Sequence, residues 1–218
     1  MPKIAVILSG CGVYDGAEIH EAVITLLALD RAGAEILCLA PDAPQAHVVD
    51  HLKGAPAEGE ARNILVEAAR IARGEIRDLA GVRIEELDAA VFPGGFGAAK
   101  NLCTFAFAGK DCVVREDVAR LIRGLHAAGK PMGFMCIAPV LAAKVLGQKV
   151  QVTIGNDPST AQAIEAMGAR HVDCPVDMCV VDDRHKIVST PAYMLAGSIQ
   201  EAAAGIERLV KTLVKLAG

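Results

Sequence analysis

The sequence predicts an α/β fold in which a mostly parallel β-sheet carries helices on both faces. Three observations lead there. Short apolar runs of strand length alternate with longer segments whose apolar residues recur at helical spacing, from Lys3 to the C-terminal end. The strand-like runs are apolar throughout rather than at alternate positions, as strands covered on two faces are. Glycines at 33, 74, 129 and 168 stop the helical segments where a strand must follow.

Each element has its own signal. Residues 3–8 (KIAVIL) form a strand ended by Ser-Gly-Cys-Gly. Residues 17–32 carry Ile19, Val23, Leu26 and Leu27 at helical spacing, and 34–40 (AEILCLA) form a second strand ending at Pro41. The polar stretch 41–60, rich in Pro and Gly, is expected to be a long surface loop. Residues 59–73 form an amphipathic helix. EIRDLAGV is ambiguous, with a short strand as one reading. Residues 87–95 (LDAAVFPGG) form a strand entering a glycine turn; 113–128 are helical; 131–136 (PMGFMC) form a strand and 138–146 the next helix. A strand over 149–154, a helix over 158–167, a hairpin around Asp-Asp-Arg-His at 182–185 and a long helix over 197–216 complete the chain. Crossovers between parallel strands should be right-handed. One domain is expected over 1–218.

Composition removes several functions. Hydrophobic residues make up 53% of the 218, aromatics 3%, with no Trp, so the core is aliphatic. The formal net charge is −4 and no basic stripe appears, which argues against nucleic acid as a partner. No apolar run reaches about 18 residues, so no membrane span is expected. MPKIAVILSG runs straight into a strand and does not read as a signal peptide. The seven cysteines (11, 38, 103, 112, 136, 174 and 179) are odd in number and form no disulfide framework. Free thiols in a reducing, cytoplasmic compartment are the expectation.

Ligands of such sheets sit at the carboxyl ends of the strands, which brings forward the loops SGCGVYDGAEIHE, PGGFGAAKNL, TPAYM and the turn at Cys136. Cys136 ends an apolar strand just before a helix. It is either a small hydrophobe of the core or a thiol held at a nucleophile elbow. For the second reading, the helix N-terminus should lower its pKa. The Pro-Gly-Gly turn at 93–95 could supply an oxyanion hole together with the Ile137 N–H. Asp15, Glu18 and Glu21 open the first helix, and Glu18 and Glu21 lie one turn apart on one face. A carboxyl group of this set could exchange protons with the thiol, although acids at a helix start also need no further explanation. His20 reads as a surface residue, and Cys11 as a packing residue or a second thiol. Lys100, Asn101, Pro191 and Tyr193 lie at the same rim. His171, Cys174 and Cys179 lack a zinc spacing. Gly10-Cys11-Gly12 has its third glycine at 16, one position late for a dinucleotide fingerprint. No metal and no cofactor are expected.

VILSGCGVYDGAEIHEAV, FPGGFGAAKNL, GFMCIAP and STPAYML together resemble ElbB-type proteins, of the PfpI branch of the class I glutamine amidotransferase-like superfamily. The resemblance spans about 3–216. It implies a flavodoxin-like three-layer sandwich and a homodimer. It places Cys136 at the elbow and Gly94 and Gly95 at the oxyanion turn. Glu21 falls at the carboxylate position, with Glu18 as the alternative. It implies a glyoxalase that acts on a small 2-oxoaldehyde without metal or cofactor; a redox-sensing or regulatory protein reusing the elbow is the alternative. Two departures narrow the choice. Ile137 stands where peptidase-like relatives have His, and the late His-x-Glu pair of true amidotransferases is missing.

Overall fold

The computed structural model describes residues 1–218. Strand β1 (Lys3–Ile7) is followed by α1 (Ile19–Arg31) and β2 (Glu35–Ala40). Next come a small hairpin of β3 (Val49–Asp50) and β4 (Ala55–Pro56), then α2 (Ile64–Ile71), β5 (Ile76–Asp78) and β6 (Ala89–Phe92). Two short helices, α3 (Phe96–Lys100) and α4 (Phe105–Ala108), precede α5 (Glu116–Ala127), β7 (Met132–Met135) and α6 (Pro139–Leu146). The chain ends with β8 (Gln151–Val152), α7 (Pro158–Ala166), β9 (Arg170–His171), β10 (Val180–Asp182), β11 (Ile187–Thr190) and α8 (Ile199–Ala217).

Seven strands form the central sheet in the order β10-β11-β7-β6-β1-β2-β5. All pairs are parallel except the β10–β11 hairpin. This is the expected α/β sandwich with its small antiparallel hairpin. From β1 the chain moves outward through β2 to β5, then crosses back to β6 and proceeds through β7 to β11. The loops that leave β1 and β6 therefore diverge, and a crevice opens at the carboxyl ends of the central strands.

The faces are covered by different helices. Ala22 and Leu29 of α1, Ile64 and Ala68 of α2, and Ile206, Leu209 and Leu213 of α8 pack on one side. Val118, Leu121 and Leu125 of α5, Leu141 of α6 and Ile164 of α7 pack on the other. Phe92 and Phe134, register partners on β6 and β7, stack with ring centroids 4.7 Å apart. Gly133 sets how close α8 comes, since a Cβ there would lie 2.9 Å from Leu209 Cδ2.

The differences from the sequence reading have local causes. The helix expected from 59 starts at Ile64, because Asn63 is its cap, with its side chain accepting from the Val66 N–H. In 149–154 only Gln151–Val152 pairs, and its partner is β9 rather than the central sheet. The 41–60 loop contains the β3–β4 hairpin. Helices α3 and α4 were not expected, since five and four residues are too few to display a helical period.

Candidate active site

Cys136 follows β7 with φ +57°, a left-handed conformation rarely taken by side-chain-bearing residues. The strand ends there: the Cys136 N–H donates to the Thr190 carbonyl at 3.1 Å, and the Ala138 N–H turns back to the Met135 carbonyl at 3.0 Å. Pro139 fits the first turn of α6, where N–H groups lack helical partners. Gly94, at the end of the neighbouring strand, makes the elbow possible. A Cβ on it would lie 2.4 Å from Cys136 Cβ and 3.0 Å from Sγ.

Glu21 lies in the first turn of α1 and is wholly buried. Its Oε2 accepts from the Gly94 N–H at 2.8 Å, and its Oε1 accepts from the Tyr193 N–H at 3.2 Å. Its carboxyl group also meets the Cys136 thiol. Burial pushes the Glu21 pKa up to about 7, and the charge of Glu18 adds to this against the two backbone donors. Cys136 is 8% exposed. Burial, and next the charge of Glu21, push its thiol well above the ordinary value, while the Gly95 and Ile137 N–H groups favour the thiolate. The lowered pKa expected from the helix N-terminus is thus corrected. Lost hydration and a carboxylate at contact outweigh a few backbone dipoles. The pair is best described as two acids that disfavour ionising together.

The other expected residues are placed as follows. Glu18 caps α1, with Oε2 accepting from the Glu21 N–H at 2.7 Å, and so orients Glu21 rather than meeting the sulfur. Gly94 was expected at the oxyanion turn, but its N–H is taken by Glu21 and its carbonyl by the Glu18 N–H. The N–H groups directed at the sulfur are those of Gly95 and Ile137. Gly95, at φ +91°, leaves no room for a side chain, since a Cβ would sit 2.4 Å from the Glu18 nitrogen. His20 is exposed, and its Nδ1 lies 2.8 Å from Tyr193 Oη. Asp15 is buried and accepts from the Val49 N–H at 2.7 Å, tying β3 to the first-strand loop. Asn101 is a buried clamp rather than a rim residue. Its amide donates to the Ser9 and Asp15 carbonyls, both at 2.8 Å, and its Oδ1 accepts from the Ala46 N–H at 2.9 Å. Lys100 donates to the Tyr14 carbonyl at 3.0 Å. His171 accepts from the Ile154 N–H at 3.3 Å. Cys11 is half-buried.

A pocket of about 350 Å³ opens over Cys136. Its walls include Phe96, Phe105, Ile137 and Met194, with Glu18 and Tyr193 as polar members. Met194 belongs to the TPAYM loop already brought forward at a strand end, whereas Phe105 carried no sequence signal, since it enters the site through the four-residue helix α4. No histidine lines the pocket, so Cys136 has no imidazole base. The arrangement can add a thiol to a carbonyl, hold the resulting oxyanion on two backbone N–H groups, and move protons with one carboxyl group of pKa near working pH.

No protein-family profile matches the chain. It is 52% identical over 225 residues to "Glutamine amidotransferase-like class 1 domain-containing protein 3, mitochondrial" of Homo sapiens, covering 99% of this chain and 84% of that protein. It is 40% identical over 208 residues to "ES1 protein, mitochondrial" of Danio rerio, covering 88% of this chain and 77% of that one. The crystal structure of an "isoprenoid biosynthesis protein with amidotransferase-like domain" from Ehrlichia chaffeensis superimposes over all of both chains with TM-score 0.93 at 41% identity. Drosophila melanogaster DJ-1beta shares the fold, with TM-score 0.54 at 19% identity over 99% of this chain and 95% of that one. The cytoplasmic expectation is corrected by these relatives, since those from human, rat and zebrafish are named mitochondrial. Cysteine usage reports a reducing environment and does not specify which compartment supplies it.

Proposed function

The chain belongs to the glutamine amidotransferase-like class 1 domain family, built on the DJ-1/PfpI fold, and from that membership we propose a cofactor-independent glyoxalase. One observation carries the reading: the buried Glu21 carboxyl group lies against the Cys136 thiol beneath an open pocket. Cys136 sulfur adds to the aldehyde carbon of glyoxal or methylglyoxal. The S–H proton passes to the Glu21 carboxylate as the C–S bond forms. The carbonyl π electrons move to oxygen, which the Gly95 and Ile137 N–H groups hold, and that oxygen takes the proton back from Glu21 to give a hemithioacetal. Glu21 removes the proton from that carbon and returns one to the neighbouring carbon, through an enediol. The first carbon is oxidised to a thioester as the second is reduced to an alcohol. Water then cleaves the thioester, giving glycolate or lactate and restoring the thiol.

Acid formation from glyoxal and methylglyoxal by the unsubstituted protein, Cys136→Ala and Glu21→Gln tests this. Cys136→Ala, which lacks the nucleophile, should abolish acid formation, and Glu21→Gln should lower kcat/KM by about 100-fold or more, the usual range for a removed acid–base group. Undiminished turnover in Cys136→Ala overturns the reading. A glutaminase would need an imidazole beside the thiol, and none is there. The alternative, a peroxide sensor reusing the elbow thiol, is separated from the glyoxalase by mass spectrometry after peroxide treatment: selective oxidation of Cys136 together with negligible acid formation from glyoxal would favour the sensor. For assembly we propose the expected homodimer, with the exposed Ile19, Val23 and Leu27 along α1 as its contact face and sedimentation as its test.

A further inference from the structure

We propose that the pocket selects 2-oxoaldehydes bearing a neutral apolar side group, aryl or branched alkyl, over glyoxal, and turns away those bearing an anionic group. This rests on the glyoxalase reading and adds a substrate class to it. Glyoxal has no side group. A cavity of about 350 Å³ is in the range that holds drug-sized ligands. Most of the wall is apolar, including Val13, Phe96, Phe105, Ile137 and Met194. With glyoxal bound, that surface would stay against water; an aryl or branched group would cover it.

The wall is built before the ligand arrives. Phe105 and Ala106 sit on α4, within an excursion closed at its base by Thr104 N–H to the Val113 carbonyl and Arg115 N–H to the Leu102 carbonyl, both at 3.0 Å. A preformed apolar wall recovers more of the burial free energy, because no segment has to be ordered on binding. The charge pattern is one-sided. Glu18 lines the pocket, and no Lys, Arg or His does. Its Oε2 is held by the Glu21 N–H, so the carboxyl group stays fixed at the wall. A second negative charge entering an apolar cavity beside it has no counter-charge to meet. Phenylglyoxal plus water gives mandelate by the same internal transfer, in which one carbon is oxidised, its neighbour is reduced and no outside oxidant is needed.

The test compares kcat/KM for acid formation from glyoxal, methylglyoxal, phenylglyoxal and 4-carboxyphenylglyoxal, each against Cys136→Ala. Phenylglyoxal is expected to exceed glyoxal by about tenfold or more, and 4-carboxyphenylglyoxal to fall about tenfold below phenylglyoxal. Ala106→Trp, which fills the wall from an exposed helix, should bring the phenylglyoxal-to-glyoxal ratio toward one while circular dichroism remains that of the folded protein. If Cys136-dependent turnover of glyoxal matches that of phenylglyoxal, or if Ala106→Trp leaves the ratio unchanged, the specificity inference falls and the glyoxalase reading stands. If no substrate yields Cys136-dependent acid, both fall.

Discussion

Replacing Glu21 by Gln keeps the shape of the side chain and removes its charge, so its effect on stability separates two costs that oppose one another. Both carboxyl oxygens accept a backbone N–H, from Gly94 at 2.8 Å and from Tyr193 at 3.2 Å. A carboxamide must present its NH2 at one of those places, and one buried donor goes unpaired, at a cost of about 1–3 kcal/mol at every pH. The wild-type side chain carries a different cost. Its pKa is about 7 in the folded protein against an ordinary 4.5. Below 4.5 it is neutral in both states. From 4.5 to about 7 the unfolded chain gives up the proton and the folded chain keeps it, so stability falls as pH rises through this window and is level above it. At about 1.4 kcal/mol per pH unit the loss is ~3 kcal/mol. Glu21→Gln lacks that decline. Guanidinium denaturation at pH 4.5 should find the variant less stable than wild type by about 1–3 kcal/mol. At pH 8 the two should be equal or in reversed order. A wild-type-minus-variant difference that is the same at both pH values would show that Glu21 titrates as an ordinary carboxyl group, and the paired-acid account would fail.

Three further outcomes follow from the same geometry. Gly94→Ala places a methyl 2.4 Å from Cys136 Cβ and 2.8 Å from Glu21 Oε2, so turnover should be lost and stability should drop by about 1–3 kcal/mol, read by activity and melting together. Cys136→Gly should be more stable than Cys136→Ala by about 1 kcal/mol, because glycine takes φ +57° without steric cost; the reverse order in denaturation would show that the elbow is not strained. Asn101→Ala removes three hydrogen bonds that tie the first-strand loop to the residue 41–60 excursion, and calorimetry should show a loss of about 2–4 kcal/mol.

The alternation of strands and helices needs no tertiary information to be seen, because periodicity and glycine stops are local properties. For the same reason the elbow at Cys136, the glycine turn at 94–95 and the acids at the start of α1 are visible in the chain itself. Other features are not local. Glu18 and Glu21 carry the same chemistry three residues apart, and the choice between them depends on which one α1 buries. Glu21 is held by N–H groups 73 and 172 residues away in sequence, while Glu18 is used as the cap. The sign of the Cys136 shift could not be read either. A helix N-terminus is a local feature that argues for a low pKa, whereas burial beside a carboxyl group exists only once β7, β6 and α1 are assembled. Even Gly94, correctly placed at the turn, has its N–H taken by Glu21, a partner set by packing. The sequence by itself determined the layers and the position of the thiol. The tertiary structure decided which acid meets that thiol and which proton each can hold, because desolvation and long-range pairing depend on neighbours brought together by folding.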